Sequence, residues 1–290
     1  MQDNATNLPR RVELSSVPFF PQERYQCGPA TLAMALGAAG ISVVPDALVS
    51  QVYVPQRAGS LQPEMLAAGR RNGAVSMLIP PRLDALLTEV AAGNPVAVLQ
   101  NLSIPLSPLW HYALVIGYDL DAGDIILRSG TTKRLVMPLS TFEHTWARSN
   151  YWGMVNLPAG RLPATVDEAK VVDALVAFEK SADAKAAQAA YEAAVLRWPG
   201  NLSLLLGRGN TAYAAGDRVT AVAAFRQAAE KHPDSAPAFN NLATVLAELG
   251  EIEQAYTAAK TAVSLGGTWH DASYATLQSI EAMRRTPREP

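Results

Sequence analysis

The spacing of hydrophobic residues divides the first half of the chain into a helical part and a strand part. Four runs have apolar residues at helical spacing, at 30–36, 45–53, 61–72 and 82–92. They are followed by four short runs rich in β-branched residues, at 95–100, 112–118, 125–128 and 134–137. Turn-forming residues separate the last three of these runs. Helices first and antiparallel strands afterwards predict an α+β domain over residues 17–157.

Beyond a proline-containing linker at 158–167, the pattern changes to alanine-rich helix with an internal repeat. Pro199 and Pro233, each at the end of a helical run, lie 34 residues apart. A 34-residue frame gives units at 168–201, 202–235 and 236–269. Small and aromatic residues recur in this frame, at Ala187, Ala221 and Ala255, at Ala194, Ala228 and Ala262, and at Tyr191 and Phe225. Small residues let paired helices approach closely, and an aromatic ring fills the space between units.

This period resembles that of tetratricopeptide repeats, with a capping helix at 270–286. The resemblance predicts an all-α superhelix over residues 168–290, whose concave face binds a peptide or a protein partner. One alternative is an alanine-rich bundle with an accidental register. Another is a true repeat array that only packs on the first domain and stabilises it.

Composition and charge narrow the functional classes. Of the 290 residues, 49% are apolar and 17% are charged, which is enough apolar surface for buried cores. The net charge of −2 argues against nucleic acid as a partner, because proteins that grip phosphate backbones carry a basic excess. No run reaches the roughly 18 apolar residues of a membrane span. No phosphate-binding loop and no metal-ligand spacing is found, so we expect no cofactor and no metal.

Residues 1–16 are predicted to be a polar N-terminal extension without the apolar segment of a signal peptide. This pattern fits a cytoplasmic protein. It fits equally well a protein of the bacterial cell envelope or periplasm from which an export signal has been removed.

Cys27, the single cysteine, lies at the start of the first predicted helix, ahead of Pro29. A single cysteine excludes an intrachain disulfide and a cysteine-rich zinc site. A thiol at a helix N-terminus faces unpaired N–H groups and the positive end of the helix dipole, and both stabilise a thiolate. Cys27 is therefore a candidate nucleophile, the alternative being an inert core cysteine.

His111 is the candidate base for that nucleophile. It begins the apolar run 112–118, and a polar residue at the start of a hydrophobic strand needs a polar partner. A thiol on a neighbouring helix is the expected one. Six aromatic residues are weaker candidates for a cleft lining, at Tyr25, Trp110, Tyr112, Trp146, Tyr151 and Trp152.

These motifs together resemble the C39-like cysteine peptidases, papain-fold relatives of the peptidases that process bacteriocin leaders. The resemblance rests on CysGlyProAla at 27–30 and on HisTyrAlaLeuValIleGlyTyrAsp at 111–119, and it covers about residues 17–157. It implies a papain-like α+β domain in which Cys27 is the nucleophile and His111 the general base. Gln22 would complete the oxyanion hole, although it lies five residues before Cys27, one fewer than is usual in papain-like enzymes. Gln26 is a weaker candidate for that role.

The third member of the triad departs from the family pattern. The family places an aspartate at the end of the strand after the histidine strand, and here Ser129 occupies that position. Asp119 cannot replace it, because eight residues along one strand put it roughly 26 Å from His111. Asp121 and Asp124 lie at the same far end. A serine hydroxyl can orient an imidazole but stabilises its charged form less well than a carboxylate.

We therefore expect a cysteine peptidase that hydrolyses a peptide bond in a peptide or protein substrate, with repeats that recruit the substrate or a partner. The main alternative is a weakly active or inactive peptide-binding scaffold, which the missing aspartate favours. Acyl transfer in place of hydrolysis is a third possibility, since the same Cys–His chemistry allows it.

Overall fold

The structure, a computed structural model, describes residues 8–21, 27–54, 59–104 and 106–285. The chain divides between Ala182 and Asp183 into two compact units. In the part of the chain that is described, no helix is long and apolar enough to cross a membrane.

The first unit contains six helices and nine strands among its described residues. The helices are α1 (Cys27–Ala38), α2 (Pro45–Val52), α3 (Gln62–Arg71), α4 (Leu83–Ala91), α5 (Leu139–Ala147) and α6 (Glu168–Glu179). The strands are β1 (Arg11–Glu13), β2 (Tyr53–Val54), β3 (Gly59–Ser60), β4 (Val75–Leu78), β5 (Val96–Asn101), β6 (Trp110–Asp119), β7 (Asp124–Ser129), β8 (Thr132–Pro138) and β9 (Gly153–Leu157). The predicted runs correspond to α1–α4 and β5–β8.

Most strands form one antiparallel sheet in the order β4–β9–β5–β6–β7–β8, while β2 pairs with β3 separately. Strands β5 and β1 follow one another along β6, pairing with its first and last residues. Gly117 permits the close approach of β1, because a Cβ there would lie 2.4 Å from the carbonyl oxygen of Val12. Strands β4 and β9 were not predicted, since each is short and their pairing joins segments about 80 residues apart.

Helix α1 is the centre of the first core. Residues 28–36 are buried all round, which explains why its apolar residues show no one-sided pattern. The helix packs on the sheet face formed by Tyr112, Leu114 and Ile116 of β6. The strand that contains His111 is thereby the one that lies beneath the helix that begins at Cys27.

The second unit is entirely helical in its described residues. Its helices are α7 (Ala184–Arg197), α8 (Leu202–Ala214), α9 (Arg218–Lys231), α10 (Ala236–Glu248), α11 (Ile252–Leu265) and α12 (His270–Arg285), with a short 3-10 turn at Gly267–Trp269. Helices α8 and α9 lie inside the predicted unit 202–235, and α10 and α11 inside 236–269. A left-handed glycine, Gly216 or Gly250, follows the first helix of each pair and reverses the chain.

Two aromatic rings interlock with two glycines in this unit. A Cβ at Gly207 would lie 2.2 Å from the ring of Tyr191, and one at Gly209 would lie 2.3 Å from the ring of Phe225. Both rings are almost fully buried. The in-register aromatic residues are therefore packing residues that require the absence of a side chain on α8.

The predicted first repeat, 168–201, falls across the division between the units. Helix α6 contacts β4 and α3 of the first unit, where it buries Val171, Leu175 and Phe178. The repeat period pairs α6 with α7, but it contains no information about the neighbour on which α6 packs. The predicted start of the repeat region at 168 stays a prediction.

Candidate active site

Cys27 is the first residue of α1 and is partly buried against the core. One turn later, Thr31 donates its hydroxyl to the carbonyl oxygen of Tyr112, at 3.2 Å. Residues four apart on a helix lie on the same face, so this bond fixes Cys27 above the beginning of β6. Gly28 brings the helix start against β3, since a Cβ there would lie 2.2 Å from Ser60 Oγ.

His111 is the second residue of β6 and is partly buried. Its Nε2 lies 2.9 Å from Ser129 Oγ, at the end of β7. In the tautomer with its hydrogen on Nε2, this bond leaves the lone pair of Nδ1 free to accept a proton. Burial lowers the pKa of His111, because removal from water disfavours the charged imidazolium. The residue is therefore a neutral base near pH 7.

The second layer of the site holds these residues in place. Gln100, opposite His111 in the β5–β6 register, donates its side-chain amide to Thr145 Oγ1 of α5, at 2.7 Å. Tyr112 donates its hydroxyl to the carbonyl oxygen of Ser60, at 3.2 Å. Burial raises the pKa of Tyr112 above its usual range.

The structure brings Ser129 to His111, while the acidic residues beyond β6 stay at the opposite end of the strand. Asp119 pairs with Arg11 at 2.8 Å, and Asp121 bonds Arg10. Gln22, predicted for the oxyanion hole, lies outside the described residues, as do Gln26 and Tyr25. Among the described residues, no cluster of three or more His, Cys, Asp and Glu side chains could hold a metal ion.

The aromatic candidates have unequal positions. Trp146 is fully buried and belongs to the core, whereas Trp110, just before His111, is 48% exposed. Tyr112 and Trp152 contact each other edge to face, with ring centroids 5.6 Å apart. Sequence reasoning missed Thr31 and Ser60. Thr31 could have been noticed as a threonine inside an otherwise apolar helix. No feature of the sequence indicates Ser60.

The first unit is thus an α+β domain in which a cysteine begins a buried helix and a histidine lies on the antiparallel strand beneath it. Residues 14–154 match the Peptidase_C39 like family, and residues 212–279 match the tetratricopeptide repeat family. This chain thus contains a domain of the C39-like peptidase family followed by tetratricopeptide repeats. The family resemblance and the fold class predicted from the sequence are confirmed.

Several solved structures are similar to one part of the chain or the other. A Bacillus anthracis protein described as a C39-like peptidase is 18% identical, with a TM-score of 0.42, over 51% of this chain and 98% of its own. The Yersinia enterocolitica type III secretion translocator chaperone SycD is 15% identical, with a TM-score of 0.38, over 41% of this chain and 86% of its own. The first tetratricopeptide domain of Spaghetti (RPAP3), bound to an HSP90 peptide, is 15% identical, with a TM-score of 0.38, over 42% of this chain and 98% of its own. No curated protein matches the chain.

Proposed function

We propose that the first unit is a cysteine peptidase, with Cys27 as nucleophile, His111 as general base and Ser129 as the residue that orients the imidazole. The observation that supports it most directly is the 2.9 Å contact between His111 Nε2 and Ser129 Oγ. His111 lies on β6, and the hydrogen bond from Thr31 to Tyr112 joins that strand to the helix that begins at Cys27. A partly buried imidazole whose Nε2 is held by a hydroxyl is prepared to take a proton at Nδ1.

The reaction follows from these positions. His111 Nδ1 takes the thiol proton of Cys27, and the sulfur bonds to the carbonyl carbon of the substrate. The resulting oxyanion lies at the start of α1, where the backbone N–H of Cys27 has no acceptor within the helix. By resemblance to the family, Gln22 adds a second donor. The C–N bond then breaks as His111 gives the proton to the leaving amine. Water, deprotonated by His111, finally attacks the thioester and releases an acid product and the free thiol.

The helical unit supplies recognition in this proposal. Tetratricopeptide repeats stack helix pairs into a surface on which a peptide can lie. Its role would be to bind the substrate protein or a partner that delivers the substrate. The chemistry itself would remain with the first unit.

The alternative function is a peptide-binding scaffold with negligible hydrolysis. The specific observation that favours it is Ser129, because a neutral hydroxyl stabilises the imidazolium intermediate less well than a carboxylate does. The two functions differ in whether His111 takes the thiol proton of Cys27.

Alkylation of Cys27 by iodoacetamide between pH 5.5 and 9 separates the two functions, and the single cysteine makes the signal unambiguous. A peptidase predicts rapid alkylation of the wild type near pH 6.5 and its loss in His111→Ala. His144→Ala is the matched control, since His144 lies on α5 with Nδ1 2.9 Å from the carbonyl oxygen of Ser140. If the wild type and His111→Ala are alkylated at equal, slow rates, the peptidase is rejected and the peptide-binding scaffold remains. A rapid, His111-dependent rate leads to a peptide-library cleavage assay, in which the absence of any cut would also reject hydrolysis.

A further inference from the structure

A cavity of about 650 Å³ opens inside the first unit, and its lining includes Trp152, whose ring contacts that of Tyr112. It lies between α3, the end of β4, the turn at 149–153 and α6. Its volume is within the range of pockets that hold a small ligand or one to two amino-acid side chains. The candidate catalytic residues Cys27 and His111 do not line it.

The turn that forms one wall is held in an unusual conformation. Asn150 and Tyr151 both have positive φ, at 55° and 56°, in which a tyrosine is rarely found. Hydrogen bonds to Trp146 hold the turn, from the backbone N–H of Tyr151 at 3.3 Å and from the hydroxyl of Ser149 at 2.8 Å. The turn thereby fixes the position of Trp152, which lines the cavity and contacts Tyr112.

The cavity and the candidate catalytic pair open at the same end of the sheet. The backbone N–H of Leu99 donates to the carbonyl oxygen of Trp152, and Leu99 is opposite Tyr112 in the β5–β6 register. Tyr112 in turn follows His111, and its carbonyl oxygen accepts a hydrogen bond from Thr31, one turn after Cys27. A substrate bound at Cys27 in an extended conformation that follows this end of the sheet would pass the cavity.

The charges around the cavity are unbalanced. Arg70 on α3 is half-buried, and its Nε and one Nη donate to the carbonyl oxygen of Ser76, at 3.3 and 3.1 Å. No carboxylate of the described residues forms an ion pair with Arg70. Across the cavity, α6 contributes Lys170 and Asp173, while the residues of β4 and of the 149–153 turn that line it are uncharged. Burial lowers the pKa of Arg70, which reflects the cost of holding this cation away from water.

The rest of the lining is mixed. Its apolar part includes Met77 and Ile79 at the end of β4, Leu66 on α3 and Ala174 on α6, and its uncharged polar part consists of Gln62, Ser149, Asn150 and Tyr151. A ligand that fits these walls has a large apolar side chain for the interior and a carboxylate for the Arg70 guanidinium. An extended peptide with an apolar and an acidic residue two positions apart supplies both groups on one face, because successive side chains point to opposite sides.

We propose that this cavity is a specificity site for an acidic–apolar segment of the peptide substrate, with the acidic side chain held by Arg70 and the apolar one packed on Ile79 and Trp152. The assignment of this segment to a substrate rests on the proposed peptidase function. The binding of the segment does not, because it requires neither Cys27 nor His111.

The test uses the full chain with Cys27→Ala, which cannot turn over, and two fluorescein-labelled peptide pools. The pools have the same random positions and differ only in a central segment, which is Leu-Ala-Glu in the Leu-Glu pool and Leu-Ala-Gln in the Leu-Gln pool. Fluorescence anisotropy should give about ten-fold or greater preference for the Leu-Glu pool, because a hydrogen bond from a charged donor to a carboxylate replaces one to a neutral amide. Adding Arg70→Met should remove the preference, and Arg70→Lys should retain part of it.

Arg71→Met is the matched control. Arg71 is the next residue on the same helix, is exposed, and bonds Gln51 outside the cavity, so the preference should remain. If Arg70→Met fails to fold, Ala177→Phe fills the cavity from α6 without touching Arg70 and should abolish binding of both pools. Equal affinity of the two pools, or a preference that survives Arg70→Met or Ala177→Phe, would overturn the proposal.

The two proposals fail in different ways. An Arg70-dependent preference in Cys27→Ala, without cleavage by the wild type, would keep the specificity site and reject the peptidase. Cleavage by the wild type with no dependence on Arg70 would keep the peptidase and reject the specificity site.

Discussion

Ser129 determines how well His111 can hold a positive charge. A carboxylate at this position would attract the imidazolium 2.9 Å away, whereas the hydroxyl offers only a hydrogen bond. We predict that Ser129→Asp raises the pKa of His111 and speeds alkylation of Cys27 at pH 6 about ten-fold. Ala122→Asp adds the same charge at an exposed position in the turn after β6, at the far end of that strand from His111, and should leave the rate unchanged. An unaltered or slower rate in Ser129→Asp would show that Ser129 does not tune the imidazole.

Burial of His111 also makes stability depend on pH. Its pKa is lowered in the folded protein, so the unfolded chain takes up the proton first as the pH falls through about 6.5. The contribution to stability is complete above that pH and is lost as the pH falls through the folded pKa. We predict that the unfolding free energy falls between pH 7 and pH 5 by less in His111→Gln than in the wild type, with a difference on the order of 1 kcal/mol. Urea titrations at the two pH values measure it, and equal losses would contradict it.

Helix α8 depends on glycines where a helix ordinarily disfavours them. Alanine at Gly209 would improve helix propensity by about 1 kcal/mol, but its Cβ would lie 2.3 Å from the ring of Phe225. The clash should prevail, because the ring is almost fully buried and cannot move away. We predict that Gly209→Ala destabilises the protein by about 1–3 kcal/mol, measured by thermal unfolding. Phe225→Leu should recover part of the loss, and Gly200→Ala, where nothing lies within 4 Å of the added Cβ, should change little. A gain in stability in Gly209→Ala would contradict the interlocking.

At the scale of elements, the sequence predicts what is local and misses what is distant. The helical and β-branched runs predict α1–α4 and β5–β8, because each of these patterns lies within a few consecutive residues. The family pattern that points to Ser129 is local in the same way. Strand β4 is four residues long and is defined by its pairing with β9, about 80 residues away. Nothing in the nearby sequence indicates that Ser60 lies against Gly28 or on which elements α6 packs. These features depend on contacts that only the folded chain creates.

At the scale of the whole molecule, the linker is part of the first unit. Glu89 on α4 is fully buried and accepts hydrogen bonds from the backbone N–H groups of Ala164 and Thr165, at 3.2 and 2.8 Å. Asn94 donates to the same carboxylate at 2.8 Å. A buried carboxylate requires such partners, because an uncompensated charge away from water is costly. The chain from 158 to 167 therefore supplies hydrogen-bond donors to the buried carboxylate of Glu89 and also connects the units.

This arrangement predicts where the chain can be cut. A fragment ending at Ala182 keeps the linker and α6, and should fold with a thermal midpoint near that of the first unit in the full chain and with the same His111-dependent alkylation. A fragment ending at Leu157 leaves Glu89 without its linker donors and uncovers β4, at a cost of about 3–5 kcal/mol. Circular dichroism melting of the two fragments measures the difference. Glu89→Gln in the longer fragment is the control. It removes the buried charge but keeps the linker and α6, so it should lose less stability than the fragment that ends at Leu157. If both fragments melt alike, α6 belongs with the repeats as the 34-residue frame predicts.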